Sequence, residues 1–248
     1  MKLKAPETVT FTQSGFCPGC GHGLAVRLLA EVMEEMGLSE KLLAVVDVAC
    51  GSLNIECWRF DTVMAAHGRP LPTAVGIKKV RPDNPVVAYI GDGAAYSIGM
   101  AETMHCAIRN DNIVVMVINN TIYGMTGGQC APTTLPGQKT TSTPYGKDPK
   151  RCGMPFRIEE AFHGLDIAYL ARGSLADAAG MRKSKKMLRK AFEKHMAGEG
   201  FCLVELLSPC PTNLNMTPVA CAQRILDQLP EYFPVGEFKD KKEETGHD

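Results

Sequence analysis

Two apolar runs of the sequence end in residues that parallel sheets use to bind ligands. The first run, residues 86–90, is followed by Gly91-Asp92-Gly93, and the second, residues 113–118, is followed by Asn119-Asn120. The residues between the runs carry apolar side chains at helical spacing, which predicts a strand–helix–strand unit. Because parallel strands end at the same edge of a sheet, the aspartate and the second asparagine are expected to share one divalent cation.

The same unit offers a place for an anion such as a phosphate. Glycines 91 and 93 permit a sharp turn and a close approach of the backbone, and the helix that follows directs free amide hydrogens towards that turn. Magnesium suits such a site because it takes few protein ligands and completes its shell with phosphate oxygens. The simpler interpretation, a strand cap and an asparagine turn, is less favoured because both motifs occur in one unit.

Strands alternate with helices along the chain, which predicts an α/β fold with a doubly wound, mostly parallel sheet. The 248 residues, 45% of them hydrophobic, can bury one core, so a single domain over residues 1–237 is expected. The charged tail, residues 238–248, is expected to be loose or bound to a partner. The predicted strands are 42–49, 86–90, 113–118, 167–171 and 201–207, and the predicted helices lie near 23–37, 73–80, 96–110, 157–163, 180–197 and 217–228.

Cysteines form the second group of candidate ligands. The chain has ten, and no signal peptide or long apolar span precedes them, which favours free thiols in a reducing cytoplasm. Cys17 and Cys20 form a CxxC motif in a glycine-rich loop, while Cys50 and Cys210 each follow a predicted strand. Because strand ends gather on one side of a parallel sheet, the four thiols are expected to converge there. Cys57 is the alternative to Cys50. From the thiols alone, zinc and an iron-sulfur cluster are equally compatible.

Two histidines and a basic stretch have less specific interpretations. His67 lies in a loop where it could reach a diphosphate oxygen or a substrate carboxylate, and His22 could contact the surroundings of a cluster or simply begin a helix. Residues 182–190 are strongly basic in a helical pattern, which indicates a solvated face, with an acidic ferredoxin as the alternative partner. The net charge is zero, so neither nucleic acid nor a membrane surface is indicated.

The segment 121–155 is too long to be a simple connection. It contains several glycines, prolines and threonines, and loops of this length in compact domains are usually functional or disordered. Because it begins at the predicted cation site, it is expected to wrap the cofactor and to line the substrate pocket.

Three segments, in this order along the chain, resemble the thiamine diphosphate-binding (beta) subunit of the 2-oxoacid:ferredoxin oxidoreductases. They are Phe16-Cys17-Pro18-Gly19-Cys20-Gly21-His22-Gly23, the Gly-Asp-Gly and Asn-Asn pair, and residues 119–134. The resemblance implies a thiamine diphosphate fold and Mg²⁺ bound by Asp92, Asn120 and the backbone carbonyl of Ile122. It implies cofactor contacts from Val48, Ala49, Cys50, Gly51, His67, Gly93, Ala94, Gly124 and Met125. It favours a [4Fe-4S] cluster over zinc, held by Cys17, Cys20, Cys50 and Cys210.

The resemblance also implies a reaction. A 2-oxoacid would be oxidatively decarboxylated with coenzyme A to acyl-CoA, CO₂ and reduced ferredoxin. Enzymes of this kind bind the aminopyrimidine of the cofactor on a second domain, where a glutamate activates the ring, and this chain has room only for the diphosphate half. A hetero-oligomer is therefore expected, with an aminopyrimidine-binding alpha subunit, a gamma subunit and possibly a ferredoxin-like delta subunit. No catalytic side chain is assigned to this chain itself.

The substrate is predicted from two loop segments. Residues 123–129 and 136–141 look most like the branched-chain (2-oxoisovalerate) branch of the family, and residues 126–129 carry no cation for a distal carboxylate. The alternatives within the reaction are 2-oxoglutarate and pyruvate. Two other classes remain: a non-catalytic metal-binding electron-transfer scaffold, and a non-redox thiamine diphosphate decarboxylase or synthase subunit.

Overall fold

A seven-stranded sheet lies at the centre of the computed structural model, which describes residues 5–10 and 14–241. In chain order the strands are β1 Leu43–Asp47, β2 Asp61–Ala65, β3 Val86–Gly91, β4 Val114–Asn119, β5 Tyr169–Ser174, β6 Cys202–Leu207 and β7 Gly236–Asp240. Their order across the sheet is β2-β1-β3-β4-β6-β5-β7. Every pair is parallel except β5 and β7, which run antiparallel.

Helices connect the strands on both faces of the sheet. They are α1 His22–Glu35, α2 Pro70–Val80, α3 Met100–Ile108, α4 Pro149–Cys152, α5 Ile158–Ala161, α6 Ala178–Ala197, α7 Pro211–Leu214 and α8 Pro218–Asp227. Short 3₁₀ helices lie at Ser39–Lys41, Cys50–Glu56 and Leu229–Glu231, and a π-helix lies at Ala94–Ile98. Across the described ranges, we find no helix with the length and apolar character needed to span a bilayer.

The two faces of the sheet bury separate apolar cores, because neighbouring residues of a strand point to opposite sides. Val87 and Tyr89 of β3 pack with residues of α1 and α6 on one face. Ala88 and Ile90 of the same strand pack with residues of α2 and α3 on the other face. A strand that is buried on both sides must be apolar throughout, which is why these runs were recognisable in the sequence. The predicted doubly wound, mostly parallel α/β fold is confirmed.

The strand order reverses between β1 and β3. From β1 the chain moves outward to β2 on one side, whereas β3 and β4 extend the sheet on the other side. The connections that leave β1 and β3 therefore diverge and open a crevice at the carboxyl ends of these strands. In open α/β sheets, ligands bind in such a crevice.

Two strands were not expected from the sequence, and both are at the edges of the sheet. β2 is largely exposed on both sides, and β7 is an exposed, charged strand, so neither has the apolar run that marks a buried strand. The tail boundary expected at residue 238 falls inside β7, because Gly236–Asp240 pairs with β5. Residues 242–248 of the expected tail lie outside the described residues.

Candidate functional site

A cavity of about 250 Å³ opens at the crevice between β1 and β3. Its walls come mainly from the segments that directly follow β1, β3 and β4. The structure brings to this cavity all the residues expected to contact the cofactor: Val48, Ala49, Cys50, Gly51, His67, Gly93, Ala94, Gly124 and Met125. Asp92, Asn120 and Ile122, which were expected to bind the cation, line the same cavity.

Asp92 carries the only Asp or Glu carboxylate among the described residues that line this cavity. Its side chain follows β3 and is 1% exposed. Burial raises the pKa of Asp92 to about 7, although hydrogen bonds from the Thr133 hydroxyl and the Gly93 amide act in the opposite direction. Both of these donors are neutral, so a bound divalent cation would supply the positive charge that the ionised carboxylate lacks.

Asn120 and Ile122 reach the cavity through an unusual turn. The Asn120 Oδ1 accepts a hydrogen bond from the Ile122 amide at 3.2 Å. Thr121 between them has a φ of 63°, in the left-handed region that β-branched residues rarely adopt. Such strain persists only where surrounding contacts impose it, and it concentrates at functional sites.

The long loop after β4 imposes these contacts. The Thr121 carbonyl accepts hydrogen bonds from the Thr134 hydroxyl at 2.7 Å and from the Gln138 side-chain amide at 2.9 Å. The same loop supplies the Thr133 hydroxyl that donates to Asp92. The loop therefore contacts both segments that carry the predicted cation ligands.

Hard oxygen donors and space for a phosphate make the cavity suited to a magnesium diphosphate. Asp92, Asn120 and Ile122 all line it, and a carboxylate, an amide oxygen and a backbone carbonyl are the kind of donor set that Mg²⁺ accepts. Gly93 begins the turn into the π-helix, and its lack of a side chain allows the Tyr123 ring to lie against it, with the Tyr123 hydroxyl donating to the Gly93 carbonyl at 2.9 Å. Gly93 also lines the cavity, so its backbone borders the space where an anion would bind.

The predicted cysteines surround a second cavity, of about 240 Å³, next to the first. Cys17, Cys20, Cys50 and Cys210 all line it. All ten cysteines lie in the described residues, and all are free thiols. Cys50 also lines the first cavity, so the two cavities share a wall.

The thiols are close enough to influence one another. Burial, followed by repulsion from Cys210 and Cys17, raises the pKa of Cys50 to about 11, and burial raises that of Cys20 to about 12. A metal centre would reverse these shifts, because a coordinating thiol is deprotonated. Within the described part of the chain, no three His, Cys, Asp or Glu side chains are arranged to hold one metal ion.

Cys57, the alternative to Cys50, is not among the described residues that line the thiol cavity. It is fully buried, and its thiol donates at 3.3 Å to the carbonyl of Leu53, which does line that cavity. Asn213, which the sequence analysis did not single out, joins the two cavities. Its side-chain amide donates to the Gly124 carbonyl at 3.0 Å and to the Cys210 sulfur at 3.6 Å.

His67 lines the cofactor cavity and is oriented by a buried carboxylate. Its Nδ1 lies 2.8 Å from the Asp47 Oδ2, and the other Asp47 oxygen accepts from the Gly68 amide at 2.8 Å. Asp47 is the last residue of β1 and is fully buried. This contact leaves the second ring nitrogen of His67 for a ligand.

His22 begins helix α1, as one of its two interpretations predicted, and it also lines both cavities. Its Nδ1 lies 2.7 Å from the Tyr89 hydroxyl, and burial lowers its pKa to about 4. A neutral imidazole therefore separates the two cavities near neutral pH.

Several residues near the site were missed by sequence reasoning. Asp47 and Glu205 are acids inside apolar strands, a conflict with the local pattern that could have identified them. Thr133 gave no such signal, because its contact with Asp92 spans 41 residues of sequence. The contacts of such loop residues depend on the tertiary fold.

Half of the basic side chains in the stretch on α6 form ion pairs within the described part of the chain. Lys185 contacts Glu31 and Glu35, and Lys190 contacts Glu237 and Asp240. These ion pairs agree with the solvated-face interpretation and leave less free charge for an acidic partner.

Comparisons with known proteins identify the same cofactor. The family model described as the thiamine pyrophosphate enzyme, C-terminal TPP binding domain, matches residues 47–206. The ketoisovalerate oxidoreductase subunit VorA of Methanothermobacter thermautotrophicus is 37% identical over 94% of this chain and 49% of its own length. The 2-oxoglutarate synthase subunit KorB of Archaeoglobus fulgidus is 34% identical over 88% of this chain and 76% of its own length. The chain thus spans about half the length of the VorA relatives that it matches.

A solved structure has the same fold over almost the whole chain. It is a 2-oxoglutarate:ferredoxin oxidoreductase from Magnetococcus marinus with 2-oxoglutarate, coenzyme A and succinyl-CoA bound. The TM-score is 0.80 at 26% sequence identity, and the match covers 97% of this chain and 86% of that one.

The two glycines beside Asp92 should respond differently to an added methyl group. At residue 93 a Cβ would lie 2.3 Å from the Tyr123 ring, whereas at residue 91 it would meet nothing within 4 Å. We expect Gly93→Ala to lower the free energy of unfolding by roughly 1–3 kcal/mol, as overpacking does, and Gly91→Ala to stay close to the parent. Urea unfolding of the two variants measures the difference, and equal losses would contradict the described packing.

Proposed function

The chain belongs to the thiamine pyrophosphate-binding subunits of the 2-oxoacid:ferredoxin oxidoreductases, and on this basis we propose that it is the diphosphate- and cluster-binding subunit of such an enzyme. The observation that carries the proposal is the shared wall of the two cavities. One cavity gathers oxygen donors for a magnesium diphosphate, and the other gathers four thiols.

Asp92, Asn120 and the Ile122 carbonyl would hold Mg²⁺ in the first cavity. The backbone at Gly93 and Ala94 and the imidazole of His67 would contact the diphosphate, since all three residues line this cavity. Thiamine diphosphate, when bound, supplies the electron sink that decarboxylation of a 2-oxoacid requires. The part played by this chain is to bind and orient: it fixes the charged end of the cofactor at the sheet edge.

Cys17, Cys20, Cys50 and Cys210 would hold a [4Fe-4S] cluster in the second cavity. The proposal is supported by their common cavity and by the position of Cys50 in both linings. The Asn213 side-chain amide donates a hydrogen bond to the Cys210 sulfur. Hydrogen bonds to ligand sulfurs tune the reduction potential of a cluster. A cluster at this position would be a direct neighbour of the cofactor.

The overall reaction balances as a two-electron oxidation. A 2-oxoacid and coenzyme A give acyl-CoA, CO₂, one proton and two electrons, for which ferredoxin would be the final acceptor and a cluster held by the four thiols would be the neighbouring electron carrier. Two single-electron transfers suit an iron-sulfur centre. The free thiols favour a reducing compartment, so we place the enzyme in the cytoplasm as part of the proposal.

A partner subunit would complete the site. Relatives of this kind are named as subunits. Apolar side chains at the cofactor cavity are exposed: Val48 is 50% and Met125 is 48% exposed. Exposed apolar surface around a cavity is typical of an interface. We propose that the aminopyrimidine-binding subunit, with its activating glutamate, covers this surface, and that gamma and ferredoxin-like delta subunits complete the assembly.

A branched-chain 2-oxoacid is the proposed substrate. Among the described residues that line the cofactor cavity there is no Lys or Arg that could pair with a distal carboxylate, so an apolar substrate side chain suits this wall. The 37% identity to ketoisovalerate oxidoreductase subunits supports the same choice. The second candidate is 2-oxoglutarate, favoured by the KorB relatives and by the similar structure. An arginine from a partner subunit would be needed to accommodate it.

Single cysteine substitutions test whether Cys50 or Cys57 is the cluster ligand. We expect Cys50→Ala to lose iron and acid-labile sulfide, because one ligand of the cluster is removed, while Cys57→Ala retains both at the parent level. Iron and sulfide analysis of the purified full chain, with any subunit that co-purifies, measures this. If Cys57→Ala alone loses iron, the ligand assignment is wrong. Stoichiometric zinc in the parent would favour the scaffold function.

A panel of 2-oxoacids tests the proposed activity. The full complex is assayed with coenzyme A, thiamine diphosphate, Mg²⁺ and a viologen dye on 2-oxoisovalerate, 2-oxoglutarate and pyruvate. We expect kcat/KM for 2-oxoisovalerate to exceed that for 2-oxoglutarate at least about tenfold, because the latter would bury an unpaired carboxylate. Asp92→Asn should lower kcat/KM for 2-oxoisovalerate at least about 100-fold. Loss of a metal ligand costs more than the ~10–100-fold typical of an outer-shell residue.

The outcomes of this assay distinguish the alternatives. Decarboxylation without dye reduction would support a non-redox decarboxylase, and the absence of any turnover with cofactor bound would support the scaffold. A preference for 2-oxoglutarate would overturn the substrate and leave the reaction class intact.

A further inference from the structure

A buried glutamate lies behind the predicted cation site. Glu205 is the only charged residue of β6 and is 1% exposed. Its direct neighbour on β5 is Arg172, which is fully buried, and the Arg172 Nε donates to the Glu205 Oε2. Opposite charges at facing positions of adjacent strands stabilise a sheet, so this pair could be purely structural.

The second oxygen of Glu205 has contacts that the ion pair does not explain. The Tyr96 hydroxyl and the Asn119 side-chain amide both donate to the Glu205 Oε1, each at 3.0 Å. These two donors come from different segments, 23 residues apart in the sequence. The carboxylate therefore joins three elements: β5 through Arg172, the end of β4 through Asn119, and the π-helix Ala94–Ile98 through Tyr96.

Both donors are next to predicted cation ligands. Asn119 directly precedes Asn120, and its own Oδ1 accepts from the Thr121 amide at 3.1 Å, so it restrains the left-handed turn as well. Tyr96 lies in the helical segment that follows Asp92 and Gly93. If Tyr96 or Asn119 moved, the segment that carries Asp92 would shift relative to the segment that carries Asn120.

From these contacts we infer that Glu205 is a positioning residue, which holds the Asp92 and Asn120 segments at the spacing needed for one divalent cation. The inference rests on the proposed function. Arg172 contacts the Glu205 carboxylate, and Arg172 is itself held by Glu159 and by the Pro234 carbonyl at 3.1 Å. Outer-shell groups of this kind orient metal ligands without touching the metal.

The variant Glu205→Gln tests the inference because three donors converge on the two carboxylate oxygens. A glutamine has one acceptor oxygen and a donor amide, so it cannot satisfy Arg172 and the two motif donors together. The matched control is Glu159→Gln, which removes the other carboxylate partner of Arg172 but contacts neither Asn119 nor Tyr96. Tyr96→Phe removes a single hydrogen bond to Glu205 and disturbs packing least.

The measurement is the Mg²⁺ concentration that half-saturates thiamine diphosphate binding, determined by calorimetry on the full chain with any subunit that co-purifies. For Glu205→Gln we expect this concentration to rise about 10–100-fold, as outer-shell substitutions at metal sites do. Tyr96→Phe should shift it in the same direction by less, and Glu159→Gln should leave it unchanged while lowering the melting temperature.

The inference is overturned if Glu205→Gln and Glu159→Gln lower the melting temperature alike and neither changes the Mg²⁺ requirement. If Glu205→Gln does not fold, Tyr96→Phe decides, and an unchanged Mg²⁺ requirement in that variant overturns the inference. All of these comparisons need a parent protein that binds thiamine diphosphate with Mg²⁺. A parent that does not bind would overturn the proposed function itself, and the positioning role with it.

Discussion

The negative charge of Asp92 is the constraint on which the rest of the site depends. This carboxylate is enclosed at the end of β3, and its hydrogen bonds come from neutral donors. Ionisation in such surroundings is costly unless a positive charge is nearby, which is why burial raises the pKa of Asp92 to about 7. A divalent cation would provide this charge, and phosphate oxygens would complete its coordination. In the proposed function, the adjacent thiols and the exposed apolar rim border the cavity in which the cofactor would be held at this point.

A second buried carboxylate lies close by and is neutralised differently. Glu205 faces Arg172 across two strands, so the protein supplies its counter-charge. The two acids therefore differ in their counter-charge: Glu205 has one within the fold, whereas the hydrogen bonds to Asp92 come from neutral donors. Contacts from the long loop and from Asn119 hold the strained backbone at Thr121 in place. Rigid support around an unsatisfied group is what a preformed binding site requires.

The sequence predicted the parts of the fold that have a local signature. Strands buried on both faces, such as β3 and β4, appeared as apolar runs, and the residues at their ends indicated the site. The edge strands β2 and β7 were missed because half-exposed strands lack that run, and the tail boundary at residue 238 was misplaced for the same reason. Contacts such as Thr133 with Asp92 could not be predicted, because they join residues far apart in the sequence. The thiols were brought to one cavity as expected, whereas the Asn213 bridge between the cavities had no local signal.

The most direct test of this account is to locate the cation. The protein would be crystallised with thiamine diphosphate and Mn²⁺, which accepts the same oxygen ligands as Mg²⁺ and can be identified by anomalous scattering. We predict one manganese peak about 2.1 Å from an Asp92 carboxylate oxygen, the Asn120 Oδ1 and the Ile122 carbonyl, with diphosphate oxygens in the remaining positions. A peak coordinated by other residues, or a bound diphosphate without a cation between Asp92 and Asn120, would contradict it.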